Sequence, residues 1–219
     1  MSAARYKIII GNKNYSSWSM RPWLVLKHFD LPFEEELVPL DQADTRATLL
    51  SYSPAAKVPI LIDRSYTVWD SLSIIEYLAE HEPDAGIWPE DPQDRARARS
   101  ISCEMHSGFS ALRRGCPMNL RKEFVFKLRG GAAARKDVDR FEGIVRDRIM
   151  RSGGPFLFGK WCAADAMFAP LASRLATYNW PVDETTRAYV EAVMGEGAFQ
   201  TWREAALEET WVLAHDEIK

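Results

Sequence analysis

Residues 6–29 read YKIIIGNKNYSSWSMRPWLVLKHF. Tyr6 to Ile10 is β-rich and apolar, which predicts a buried central strand. Asn12 to Ser17 is polar and turn-like. A helix is expected to start around Ser19 to Pro22, with the proline in its first turn, and to run through Trp23-Leu24-Val25-Leu26 toward Phe29. A strand that feeds a helix through a short polar turn is the opening of an open α/β sheet, where ligands bind beyond the carboxyl ends of the strands. The free N–H groups and dipole of a helix start favour an anion there. The hydroxyls of Ser16, Ser17 and Ser19 suit a bound thiolate, and taken alone they suit helix capping equally well.

Working outward, Phe33 to Val38 reads as a second strand. Thr45 to Leu50 reads as a short helix with Asp44 as its cap. Val58 to Ile62 and Tyr66 to Trp69 read as a hairpin joined by Asp63-Arg64-Ser65. Leu72 to Glu80 is a helix with Leu72, Ile75 and Leu78 on one face. The order is βαβα-ββα. Residues 82–92 then bring three prolines and a glycine, a linker composition. Beyond it the periodicity is helical throughout. Ile101, Met105, Gly108, Phe109 and Leu112 fall on one face of a long helix from about Asp94. Val138, Phe141, Val145 and Ile149 mark a second helix, Asp165 to Ala176 a third, and Phe199 to Leu207 a later one. The expected organisation is an α/β domain over 1–82, a linker over 83–93 and an all-α domain over 94–219.

Composition narrows the function classes. The net charge of −3 argues against a nucleic-acid partner. No apolar run approaches the ~20 residues of a membrane span, so no membrane partner is expected, and a cytoplasmic location is. Three cysteines at irregular spacing (Cys103, Cys116, Cys162) fit free thiols in a reducing compartment. The four histidines are scattered, and no metal site is expected.

Two further segments carry chemistry. In Ser53-Pro54-Ala55-Ala56-Lys57-Val58-Pro59-Ile60-Leu61, a cis proline at the strand start can present the backbone of the preceding residue to a peptide ligand. In Trp69-Asp70-Ser71-Leu72-Ser73, a carboxylate and a hydroxyl at a helix start can hold the ammonium and carboxylate of an amino acid. Each is weak alone: the first is often an edge-strand proline, the second a plain cap.

Together the three segments resemble the glutathione-binding domain of cytosolic glutathione transferases. Ser16-Ser17-Trp18-Ser19-Met20-Arg21 is similar to the S-S-C-x-x-R signature of the zeta class and, more loosely, to the serine motifs of the theta and delta classes. Pro54 to Leu61 resembles N-P-x-G-K-V-P-x-L, and Trp69 to Leu78 resembles E/D-S-x-x-I-x-x-Y-L. Gly159 to Asp165, with Pro170, resembles the helix-capping motif of the second domain. The resemblance implies a thioredoxin-like N-terminal domain and an all-helical C-terminal domain. It implies glutathione as co-substrate, a small apolar electrophile as partner, and a homodimer.

By the same resemblance, Ser16 or Ser17 donates to the glutathione sulfur. Val58 pairs its backbone with the cysteinyl unit, and Pro59 is cis. Asp70 and Ser71 hold the γ-glutamyl end, and Lys57 meets the glycyl carboxylate. Tyr15, Met105, His106, Phe109 and Arg113 are the candidates for the electrophile pocket. Two departures stand out: Trp18 replaces the zeta cysteine, and Cys162 replaces a Ser or Thr cap. The implied reaction is conjugation of the thiolate to an electrophile. The alternatives are a glutathione-dependent isomerase or reductase, or a non-catalytic ligand- or partner-binding module of the same fold. A reductase of the omega type needs a cysteine at the first helix, and the chain has none before Cys103.

Overall fold

The computed structural model describes residues 4–218. Four strands, β1 (Tyr6–Ile10), β2 (Phe33–Leu37), β3 (Ile60–Asp63) and β4 (Tyr66–Trp69), form one sheet in the order β2-β1-β3-β4. β1 and β2 run parallel, pairing Tyr6 with Phe33 through Ile10 with Leu37. β3 is antiparallel to both β1 and β4. Alternation along β1 sends its side chains to two faces. Ile8 and Ile10 join the main core with α1 (Ser17–His28) and α3 (Ser71–His81), while Ile9 packs with Val38, Leu49 and Ile60 on the side of α2 (Thr45–Tyr52). The sheet thus lies between helices, as a thioredoxin-like βαβα-ββα unit requires.

From Pro92 onward the described chain is helical: α4 (Pro92–Ser107), α5 (Ser110–Gly115), α6 (Gly131–Ser152), α7 (Ala163–Thr177), α8 (Glu184–Gly195) and α9 (Gly197–Glu208). A helix that is apolar around its whole circumference belongs inside. α7 is one, buried nearly from end to end and packed on α1 and α4, so sheet and helices share one core.

Several local expectations are corrected. The long helix from Asp94 through Leu112 is two helices. Phe109 adopts a left-handed conformation (φ 55°), and the amides of Ala111 and Leu112 at the start of α5 donate to Asp137 Oδ2 from α6, at 3.0 and 2.9 Å. Pro22 lies in the second turn of α1, because the helix already begins at Ser17. Asp44 makes no cap bond; Thr45 Oγ1 accepts from Gln42 N–H instead and donates to the Pro39 carbonyl. α8 has no counterpart among the expected helices.

α7 is anchored by the carboxylate of Asp165 more than by the weak cap Cys162. Asp165 accepts from Cys162 N–H (3.0 Å), Leu157 N–H (3.1 Å) and the Tyr189 hydroxyl (3.1 Å). Burial pushes this carboxyl up to about 6 against those three donors. Asp165→Ala orphans all of them, at ~1–3 kcal/mol per buried donor. The expected loss is about 3 kcal/mol or more, measured by urea denaturation; a loss below ~1 kcal/mol would show that α7 is held by its apolar faces alone.

Candidate functional site

The turn between β1 and α1 is pinned from several directions. Tyr15 and Ser16 donate their N–H groups to the Asn12 carbonyl at 3.1 and 2.8 Å. The Asn12 side chain accepts from Leu40 N–H at 2.8 Å. Lys13 and Asn14 donate their amides to the Glu209 carboxylate at 2.6 and 3.1 Å. Asn14 Oδ1 accepts from Leu120 and Arg121 N–H at 2.8 and 3.0 Å. Ser16 is the N-cap of α1. Its hydroxyl lies 2.8 Å from the hydroxyl of Ser19, which is fully buried and accepts from Gly11 N–H at 3.1 Å. The Ser17 hydroxyl has no hydrogen-bond partner among the described residues, and Ser16 and Ser17 both line a cleft of about 790 Å³.

A second, smaller hollow of about 260 Å³ adjoins the first, and Trp18, Lys57 and Val58 line both. Ala55, Pro59, Trp69, Asp70 and Ser71 complete it. Pro59 is cis, and Val58 precedes the strand ladder, which begins at Ile60. Asp70 caps α3 by accepting from the amides of Leu72 and Ser73, and it does so at φ 74°. Such strain in a non-glycine residue concentrates at ligand sites. Ser71 Oγ is buried without a partner among the described residues. Residues of all three sequence segments therefore meet around two joined hollows.

The expected electrophile wall is corrected. Met105 and Phe109 point into the core, where Phe109 meets Phe168 edge to face. His106 lies behind Trp18, edge-on at 5.1 Å, with Nε2 3.2 Å from Asp70 Oδ2. Burial lowers its basicity, and Asp70 opposes that. Tyr15 lines the cleft, but its hydroxyl is committed, donating to Glu217 (2.6 Å) and accepting from Arg121 (2.7 Å). Of the candidates on the helical side, Arg113 alone faces the cleft, joined by Ser110, Arg114, Met118 and Arg174 and by Leu213, His215 and Asp216 of the C-terminal tail. The wall is mixed and rich in arginine; Met118 and Leu213 supply its apolar part.

Arg21 is fully buried behind Trp18, its guanidinium 4.3 Å from the indole centroid, and Arg113 sits 4.5 Å from the same ring. None of the three Arg21 nitrogens has a hydrogen-bond partner among the described residues. Burial, with repulsion from Arg113 and Arg174, brings it down to about 9, so it stays charged at neutral pH. The tail from Glu209 to Glu217 and the loop carrying Arg121 were not among the sequence candidates, although both hold the serine turn. Among the described residues no three His, Cys, Asp or Glu side chains are grouped to hold a metal ion, and no helix is long and apolar enough to cross a membrane.

A family model described as the glutathione S-transferase N-terminal domain matches residues 15–81. A probable maleylacetoacetate isomerase of Caenorhabditis elegans is 41% identical over 168 residues, 74% of this chain and 75% of the relative. Glutathione S-transferase theta-1 of Homo sapiens is 26% identical over 201 residues, 84% of this chain and 82% of the relative. A glutathione transferase homolog from Burkholderia gl BGR1, solved with bound glutathione, superposes with a TM-score of 0.73 at 26% identity, covering 93% of this chain and 99% of that one.

An unpaired buried charge costs stability, and even buried ion pairs are often replaced by apolar residues with a gain of up to ~1–4 kcal/mol. Arg21→Met is therefore expected to raise folding stability by about 1–3 kcal/mol, read as a higher urea midpoint at unchanged slope. A variant less stable than the parent would show that the indole contact offsets the burial of the guanidinium.

Proposed function

The chain belongs to the cytosolic glutathione transferase family, and we propose that it binds glutathione across the two hollows and turns the thiolate on a small electrophile bearing a carboxylate. The observation that carries this reading is the meeting of Ser16, Val58, Asp70 and Ser71 around one continuous pair of cavities at the start of α1. Asp70 and the unpartnered Ser71 hydroxyl take the γ-glutamyl end. The Val58 backbone, outside the ladder, takes the cysteinyl unit, and the exposed Lys57 takes the glycyl carboxylate. The sulfur then faces the N-terminus of α1. Residues 1–82 supply glutathione binding, and residues 94–219 supply the co-substrate wall across the 83–93 linker.

Activation needs no general base. Lowering a thiol from about 8.5 by ~2 units takes ~2.7 kcal/mol of preferential thiolate stabilisation. One hydrogen bond to a charged group contributes ~1.5–3 kcal/mol, and the helix terminus adds ~0.3–1 kcal/mol. We assign the donor role to Ser16, because a second hydroxyl holds it in place and preorganised donors are the effective ones. Ser16→Ala is expected to lower turnover of a nitro-activated aryl chloride by tenfold or more, while glutathione still binds; Ser17→Ala should keep most of the activity. The opposite ranking would move the role to Ser17.

The carboxylate follows from Arg113, Arg114 and Arg174 on the co-substrate wall, since planar guanidinium groups match carboxylates. A second reading, isomerisation, is supported by the Caenorhabditis elegans relative. There the thiolate adds to a conjugated double bond, the resulting single bond rotates, and elimination returns the thiolate, so glutathione is not consumed. In either reaction, Arg113→Gln combined with Arg114→Gln should lower kcat/KM for an acidic enone at least tenfold. The methyl ester of the same enone should change less than about twofold. An equal loss on acid and ester would remove the carboxylate from the proposal.

A further inference from the structure

We propose that Ser19 is a positioning residue that polarises Ser16: the Gly11 amide donates to the Ser19 hydroxyl, Ser19 donates to Ser16, and the Ser16 proton is thereby turned into the cleft. The inference rests on the assignment of Ser16 as the donor to sulfur and extends it to a buried residue that touches no substrate.

Either hydroxyl of the Ser16–Ser19 pair can donate across the 2.8 Å gap, and the burial of Ser19 decides between the two arrangements. Gly11 N–H points at Ser19 Oγ at 3.1 Å, so one lone pair of that hydroxyl is taken. Ser19 is fully buried, and the Ser16 oxygen, 2.8 Å away, is its one remaining hydrogen-bond partner among the described residues. Two hydroxyls this close share a single proton, and their other partners decide which one donates. If Ser16 donates, the Ser19 proton is buried with no acceptor, a costly arrangement. If Ser19 donates, its buried proton has an acceptor while the Gly11 N–H keeps its bond. Ser16 then accepts from Ser19 Oγ and, weakly, from Ser19 N–H at 3.4 Å, and its own proton is left for the cleft, whose wall it lines. Chains of hydrogen bonds polarise one another, so a donor that is itself receiving a bond donates more strongly. Ser17, one residue on, has no such support. The chain Gly11–Ser19–Ser16 runs from the end of β1 to the start of α1, so sheet geometry fixes the direction of the last O–H.

The test is the titration of the bound glutathione thiol, followed by thiolate difference absorbance, with glutathione affinity measured alongside. Ser16→Ala should raise the thiol pKa by about one pH unit or more. Ser19→Ala should raise it by about half a unit with glutathione affinity within about twofold. The double variant should titrate like Ser16→Ala alone, because a relay has nothing to act on once Ser16 is gone. If Ser19→Ala does not fold, Ser19→Cys takes its place, since its thiol fills the space but donates weakly. The relay is overturned if Ser16→Ala moves the titration and the Ser19 variant does not, or if the two shifts add in full. If Ser16→Ala itself leaves the titration unchanged, the assignment of Ser16 is what fails.

Discussion

The amides of Lys13 and Asn14 lie between a strand and a helix and can bond to neither, and satisfying them shapes much of the molecule. Buried backbone donors must be paired. Here the partner is the carboxylate of Glu209, from just beyond α9 at the far end of the chain. Burial pushes this carboxyl up, and the two amides together with the charges of Lys13 and Arg121 act in the opposite direction. Trp202 Nε1–H donates to the Lys13 carbonyl at 2.9 Å, and Arg121 donates to the carbonyls of Glu209 and Trp211 and to the Tyr15 hydroxyl. The serine turn is thus clamped by the helical half before any ligand arrives. The same clamp brings Leu213, His215 and Asp216 to the cleft, where His215 Nδ1 lies 3.0 Å from Asp41 Oδ2.

A surplus of buried positive charge is the second constraint. Arg174 is buried and satisfied by the carbonyls of Cys116 and Pro170, while Arg113 bonds the carbonyls of His106 and Gly108. Neither meets a carboxylate, and Arg21 meets no acceptor among the described residues. A fold selected for stability alone would neutralise these groups or replace them. Their retention beside the start of α1 fits a site that handles anions, where an unneutralised field costs folding stability and lowers the energy of a thiolate or carboxylate.

Where local physics governs, the sequence was readable. β-branched residues between turn signals marked β1, β3 and β4, Phe33 to Val38 read as β2 without them, and the polar turn, the Val-Pro pair and the Asp-Ser pair marked segments that converge on two joined hollows. Readability failed where long-range partners decide. Periodicity across Met105 and Phe109 predicted one helix, but Asp137 captures the start of α5, the left-handed Phe109 breaks the run, and both side chains turn into the core. α8 did leave a signal, Asp183 as cap before Tyr189, Val190 and Val193 at helical spacing. The roles of Glu209, Arg121 and Glu217 left none: a polar side chain that bonds a turn 106 to 202 residues away has no local pattern.

Trp18 links these features. It stands where the zeta signature has a cysteine, and it forms the wall shared by the two hollows. Its ring receives the guanidinium groups of Arg21 and Arg113, and His106 meets it edge-on. A desolvated guanidinium on an indole gains ~2 kcal/mol or more, enough to offset part of the cost of burying an unpaired charge. A cysteine offers no such face, and the two like charges would then repel across a gap. Arg21 belongs to the signature and Trp18 does not, so the departure changes what the arginine rests on: one indole ring here carries the guanidinium groups of both Arg21 and Arg113.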